Sequence, residues 1–188
     1  METVLFVVLG NFFVTFIVVG LIAAGIRLAL RPKPLTARIV VDDVFAYFLL
    51  FAIGISFVYN FAFHVFAGEF AASLIGWPDS PFQDEVGWAS LGMGLVGVCA
   101  FRGSLGVRGV AILGPACFLL GAAGTHIVDI VVSSNFAPGN AGAVLYTDIA
   151  LPLIGAALWF AQRHLERRPA PAATSRTPTS EPPAAMAT

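Results

Sequence analysis

Residues 59–87, YNFAFHVFAGEFAASLIGWPDSPFQDEVG, join two strongly apolar segments and organise the whole chain. The stretch holds one of the three histidines and four of the eleven acidic residues, but no lysine or arginine. Trp77-Pro78-Asp79 interrupts any helix, because proline cannot donate a backbone hydrogen bond and disfavours helix before it. Ser80-Pro81-Phe82-Gln83 then predicts a helix start, in which Ser80 is the N-cap and Gln83 completes a capping box. The stretch is therefore predicted to turn the chain between two long helices.

The composition on either side of this stretch is that of a membrane protein. The 188 residues are 58% hydrophobic and 11% charged, with a mean hydropathy of +0.87. A soluble domain carries about 25% charged residues, so this chain has too few charges to cover a globule. Cys99 and Cys117 lie in apolar runs without a C-x-x-C spacing, which favours buried thiols over a disulfide or metal pair.

The predicted fold class is all-α, a polytopic membrane protein with five transmembrane helices in residues 1–168. A helix needs roughly 20 apolar residues to cross the bilayer core. Segments of that kind are predicted at residues 3–30, 36–67, 81–101, 106–132 and 141–166. Between the second and third, residues 69–77 predict a short interfacial helix with Phe70, Leu74 and Trp77 facing lipid. Residues 169–188, rich in Pro, Ala and Thr, predict a disordered tail.

The positive charges predict the orientation of the chain. With five spans, all ten basic residues fall on one side of the membrane: Arg27, Arg31, Lys33, Arg38, Arg102, Arg108, Arg163, Arg167, Arg168 and Arg176. The positive-inside rule makes that side cytoplasmic, so the N-terminus lies outside and the C-terminus inside the cell membrane. The expected partner is the lipid bilayer, with a homo-oligomer left open. Nucleic-acid binding is not expected, because the basic residues flank spans instead of forming a patch.

Polar residues inside the apolar segments are the candidate site. Ionisable groups are costly in a membrane and usually face a bundle interior or a watery cavity. With this topology, several reach one level near the outer boundary. The predicted outward-facing polar cluster consists of Asn60, His64, Glu69, Glu85, His126, Asp129 and Asp148.

The motif YNF-x-FH, followed by IGW-x-x-SPFQ-x-EVG and a glycine-rich helix, resembles a family of small, uncharacterised multi-span membrane proteins of bacteria and archaea. The motif covers about a quarter of the chain. The resemblance implies a bacterial inner-membrane protein and no particular activity. The matching residues are Tyr59, Asn60, Phe61, Phe63, His64, Gly76, Trp77, Ser80, Pro81, Phe82, Gln83, Glu85, Val86 and Gly87.

Several functions remain open for the polar cluster, and so does the question of enzymatic activity. The groups could hold the bundle together or bind a ligand. They could form a metal-dependent enzyme acting on a lipid-like substrate, with His64, His126, Asp129 and Glu85 as metal ligands. Chains of Asp, Glu and His also serve small ion- or proton-coupled transporters. Finally, His64 and His126 could ligate haem from facing helices.

Overall fold

The computed structural model describes residues 10–167, which form seven helical elements and no strand. Residues 3–9 of the first predicted span and the predicted tail at residues 169–188 lie outside the described residues. The second helix is α-helical at both ends and π-helical over Phe48–Ile55. The helices are α1 (Phe12–Ala29), α2 (Ala37–Phe66), α3 (Gly68–Ile75), α4 (Phe82–Ala100), α5 (Leu105–Ser133), α6 (Pro138–Ala141) and α7 (Ala143–Arg167).

Four helical segments are long and apolar enough to cross a membrane. They are Phe12–Ala29, Ala37–Phe66, Leu105–Ser133 and Pro138–Arg167. Helix α4 has 19 residues but is not among them. Its first turns carry Gln83, Asp84 and Glu85, which lower its hydropathy. The all-helical, membrane-compatible fold is confirmed, whereas the crossing by α4 stays a prediction.

Helices α2 and α4 pack closely in antiparallel orientation. A Cβ atom built on Gly97 would lie 2.7 Å from the backbone nitrogen of Gly54, and one built on Gly94 would lie 2.9 Å from the Gly54 carbonyl oxygen. Real Cβ atoms essentially never approach another atom so closely, so glycine is required at both positions. Small residues allow membrane helices to approach in this way. Gly54 lies in the π-helical part of α2, where each turn contains more residues than a turn of α-helix.

A buried arginine holds together one end of the bundle, here called the basic end. Arg108 is 4% exposed. Its Nη1 donates to Asp42 Oδ1 and to Gln162 Oε1, both at 2.8 Å, and its Nη2 donates to the Phe101 carbonyl at 3.2 Å. These bonds connect the start of α2, the end of α4, the start of α5 and the end of α7. Charge-assisted bonds of this kind are stronger than neutral ones.

An apolar layer separates the basic end from the opposite end. Along α2 it lies between Asp42 and Asn60, along α5 between Arg108 and His126, and along α7 between Asp148 and Gln162. The layer contains the fully buried side chains of Phe45, Leu49, Ile53, Phe57, Leu119 and Leu151. Apart from Ser56, whose hydroxyl donates to the Phe51 carbonyl, the buried polar residues within 10–167 are thereby divided into two groups, one at each end of the bundle.

The prediction of buried thiols is wrong. Cys99 and Cys117 are both free and exposed on the outer surface of the bundle. An apolar sequence context does not distinguish the inside of a membrane bundle from its lipid-facing side, because both surroundings are apolar.

Candidate functional site: a cavity opposite the basic end

A cavity of about 550 Å³ lies at the end of the bundle opposite Arg108. Its apolar walls include Phe12, Phe13, Phe63, Trp77, Phe118 and Leu119. Polar side chains reach it from four helices: Asn60 and His64 of α2, Gln83 of α4, Thr125 and His126 of α5, and Asp148 of α7. The lining residues Pro78, Ser80 and Phe82 are exposed and form its rim. Most ligand sites combine an apolar cavity with a few polar groups in this manner.

The α2 side of the cavity is fixed by two hydrogen bonds to α4. His64 Nδ1 lies 2.6 Å from Gln83 Oε1, and Asn60 Nδ2 donates to Ser90 Oγ at 2.9 Å. The predicted capping box is therefore wrong. Helix α4 begins at Phe82 without a side-chain cap, and the Gln83 side chain bonds to His64 instead of its own helix end.

The opposite side is built around His126, which is 5% exposed. Its Nδ1 lies 2.6 Å from Oδ1 of the fully buried Asn140. Asn140 Nδ2 donates to the Asn135 carbonyl at 2.8 Å, which orients the amide so that its oxygen faces the imidazole. An amide oxygen only accepts, so Nδ1 is the protonated ring nitrogen of this bond. His126 Nε2 lies 3.8 Å from Oδ2 of Asp148, which is 2% exposed.

Trp77 forms a wall of the cavity. Its Nε1 donates to Asp129 Oδ2 at 2.8 Å, and its ring stacks on His126 with centroids 5.7 Å apart and an interplanar angle of 25°. The prediction that Trp77 and Leu74 face lipid is therefore wrong, since both line the cavity. Phe70 is exposed, and its contact with lipid stays a prediction. Trp77 is half-buried, and Asp129 supplies a partner for its indole N–H across the bundle.

Four of the seven predicted site residues line the cavity, namely Asn60, His64, His126 and Asp148. Glu69 and Glu85 are exposed and do not line it. Asp129 lies behind Trp77 and also accepts from Asn135 Nδ2 at 2.6 Å.

The predicted metal set is not assembled. Within residues 10–167, no group of three or more His, Cys, Asp or Glu side chains is placed to hold a metal ion. Of the set proposed from the sequence, Glu85 is exposed and Asp129 is bonded to Trp77 and Asn135. His64 and His126 are each bonded to an amide side chain.

Sequence reasoning missed the amides that position the two histidines. The sequence predicts a helix cap for Gln83 and a short loop with proline and glycine for residues 133–140, which include Asn135 and Asn140. One signal was available. Asn140 directly follows Pro138-Gly139 between two apolar helices, where a polar side chain near a membrane boundary needs a partner.

A family model matches residues 10–168, which include every described helix and the whole cavity. The chain belongs to the DUF6790 family. That family is described as one of unknown function. No curated protein and no solved structure matches the chain. For this DUF6790 protein, the cavity is therefore the main structural indication of function.

Proposed function

We propose that this DUF6790 protein binds a small, largely apolar molecule in a membrane, with the polar part of that molecule among Asn60, His64, His126 and Asp148. The observation that carries the proposal is the cavity of about 550 Å³ with aromatic and aliphatic walls. Cavities of about 300–1,000 Å³ with a few fixed polar groups are typical of small-molecule sites. Here the two histidines are held by neighbouring amides before any ligand arrives, which reduces the entropy lost on binding.

The apolar layer supports binding over passage across the membrane. Phe57, Leu119 and Leu151 are almost fully buried between the cavity and the basic end. A transport path would need polar or water-filled continuity through this layer. Ion- or proton-coupled transport, metal-dependent catalysis, haem ligation and homo-oligomer formation stay predictions.

The proposed topology has five spans, with α4 as the third. Phe101, just beyond α4, packs on Tyr47 with ring centroids 5.3 Å apart, and Gln83 at its start bonds to His64. Helix α4 thus accompanies α2 from Tyr47 to His64, which is about 26 Å at 1.5 Å per residue. That length approaches the thickness of the bilayer core, about 30 Å.

The proposed location is the cell membrane, with the basic end in the cytoplasm. The N-terminus and the cavity would then face outward, as the positive-inside rule favours. The buried bonds of Arg108 to Asp42 and Gln162 support this orientation. They place the start of α2, the start of α5 and the C-terminal part of α7, which all adjoin basic residues, at the same end of the bundle.

Ala122→Phe tests the binding proposal, because Ala122 lines the cavity and a phenyl ring there would fill it. The probe is 4-decylphenol, and its one-to-one retention is measured by native mass spectrometry of purified protein. We expect Ala122→Phe to reduce retention about tenfold or more, since a filled cavity cannot bury the probe. The matched control is Ala157→Phe, the same change at an exposed position outside the cavity. Equal retention by wild type and both variants would contradict a ligand site in this cavity.

A further inference from the structure

We infer that the ligand carries a hydroxyl group, held between Nε2 of His126 and Oδ2 of Asp148. This inference rests on the proposed function and names the chemical class of the ligand. Both side chains line the cavity, and both are more than nine-tenths buried. The two atoms are 3.8 Å apart and do not bond to each other directly, so a third group can join them.

The spacing of the two atoms fits one bridging oxygen. Nε2 and Oδ2 are 3.8 Å apart, which is too long for a direct hydrogen bond. An oxygen about 2.8 Å from each atom satisfies both with ordinary hydrogen-bond lengths. The stacked ring of Trp77 and the bond from Nδ1 to Asn140 fix the imidazole plane, so Nε2 is held in place.

The shared proton makes the pair select a hydroxyl. His126 Nδ1 uses its proton on Asn140, so one further proton, on Nε2 or on the carboxyl group, makes the pair neutral. A second proton, or none, would give the buried pair a net charge, which raises its free energy. With one proton, the pair is either imidazole and carboxylic acid or imidazolium and carboxylate. In both forms one atom donates and the other accepts.

A hydroxyl oxygen donates one bond and accepts another, so it matches both forms of the pair. An ether or carbonyl oxygen only accepts, and it would leave the acceptor of the pair without a partner. Burying an acceptor without a partner costs free energy, so a ligand with an ether or carbonyl oxygen should bind more weakly than one with a hydroxyl group. The ligand class is therefore a membrane-soluble alcohol or phenol, with its apolar part against the aromatic walls.

The test compares each hydroxyl probe with its methyl ether. The pairs are 4-decylphenol with 4-decylanisole, and 1-tetradecanol with tetradecyl methyl ether, measured by native mass spectrometry of the purified full chain. We expect at least one hydroxyl probe to bind about tenfold more tightly than its ether, since one or two hydrogen bonds are lost in the ether. The pair that shows the preference distinguishes a phenol from an aliphatic alcohol.

Asp148→Leu should abolish the preference, because leucine has a similar shape and forms no hydrogen bond. Asp84→Leu makes the same change at an exposed carboxylate outside the cavity and should keep the preference. Equal binding of hydroxyl and ether probes by wild type overturns the inference and leaves the proposed function in place. The comparison of hydroxyl and ether probes on wild type needs no variant, so it tests the inference even if Asp148→Leu does not fold. Failure of all four probes to bind overturns the proposed function as well.

Discussion

Asn140 is the residue on which the position of His126 depends. It is fully buried, it accepts from His126 Nδ1 at 2.6 Å, and it donates to the Asn135 carbonyl at 2.8 Å. It lies in the short helix α6, whereas His126 lies on α5. A single amide therefore ties the loop between α5 and α7 to the wall of the cavity.

Asn140→Ala should lower the stability of the protein. The change leaves a buried N–H of His126 and a carbonyl of Asn135 without their partner, and each unsatisfied group costs about 1–3 kcal/mol. Thermal unfolding of the detergent-purified protein measures the loss. Ser73→Ala is the control, since Ser73 is exposed and bonds only within its own helix. Equal melting temperatures for the two variants would show that the amide does not hold the loop.

Arg108 has the corresponding role at the basic end, and Arg108→Ala should destabilise the bundle by about 1.5–3 kcal/mol. The change leaves Asp42 and Gln162 without the donor that joins them, and Asp42 keeps some hydration because its side chain is 43% exposed. Arg38→Ala removes the same charge at an exposed position and should change stability by about 0.5 kcal/mol or less. Chemical denaturation in mixed micelles compares the two. Similar losses would mean that charge, and not the buried contacts, is what matters.

At the scale of elements, the contact between α2 and α4 positions half of the cavity. Gly54, Gly94 and Gly97 bring the two backbones together, and the pairs Asn60–Ser90 and His64–Gln83 continue the same interface toward the cavity. Any increase in the separation of the helices at the glycines would move His64 away from Gln83.

Gly97→Ala and Gly92→Ala should therefore have opposite effects. A Cβ at Gly97 meets the backbone of Gly54 at 2.7–2.9 Å, so the helices must separate at a cost of about 1–3 kcal/mol. A Cβ at Gly92 meets nothing within 4 Å, and alanine there should stabilise the helix by about 0.5–1 kcal/mol. Melting temperatures in one detergent give the sign of each change. A loss at both positions would mean that helix flexibility, not close packing, explains these glycines.

At the scale of the whole molecule, the basic residues within 10–167 and the cavity lie at opposite ends. The proposed five-span topology places the connector before α4 and the connector after it on opposite sides of the membrane. A four-span topology without α4 would place both on the same side. The position of these two connectors therefore distinguishes the two topologies.

Cysteine labelling measures that position directly. In a background of Cys99→Ala and Cys117→Ala, we expect Asp79→Cys to react with a membrane-impermeant maleimide in intact cells. Ser104→Cys should react only after permeabilisation, because the proposed topology keeps the basic connectors in the cytoplasm. Both positions are exposed in the structure, so access depends on the side of the membrane. Labelling of both from outside would show that α4 does not cross, and the reverse pattern would show that the orientation is inverted.

The sequence by itself determined the helical segments, their apolar character and the separation of basic residues from the polar cluster. Hydropathy and helix-breaking prolines are local properties, so the bounds of α2, α5 and α7 follow from the residues within each segment. The placement of His126 and Asp148 near one level also followed, because helix length sets depth once the connectors are known.

Only the tertiary structure decided which polar side chains meet. Trp77 and Asp129 are 52 residues apart, and His64 and Gln83 are 19 apart, so no local period relates them. Whether Glu85 faces the cavity or the surface depends on the rotation of α4 about its axis, which close packing at Gly94 and Gly97 fixes. Lipid and a protein interior are equally apolar, so the sequence pattern cannot tell a lipid-facing side chain from a buried one. For that reason the sequence predictions for Trp77, Cys99 and Cys117 are wrong, and the packing of the bundle decides where these side chains lie.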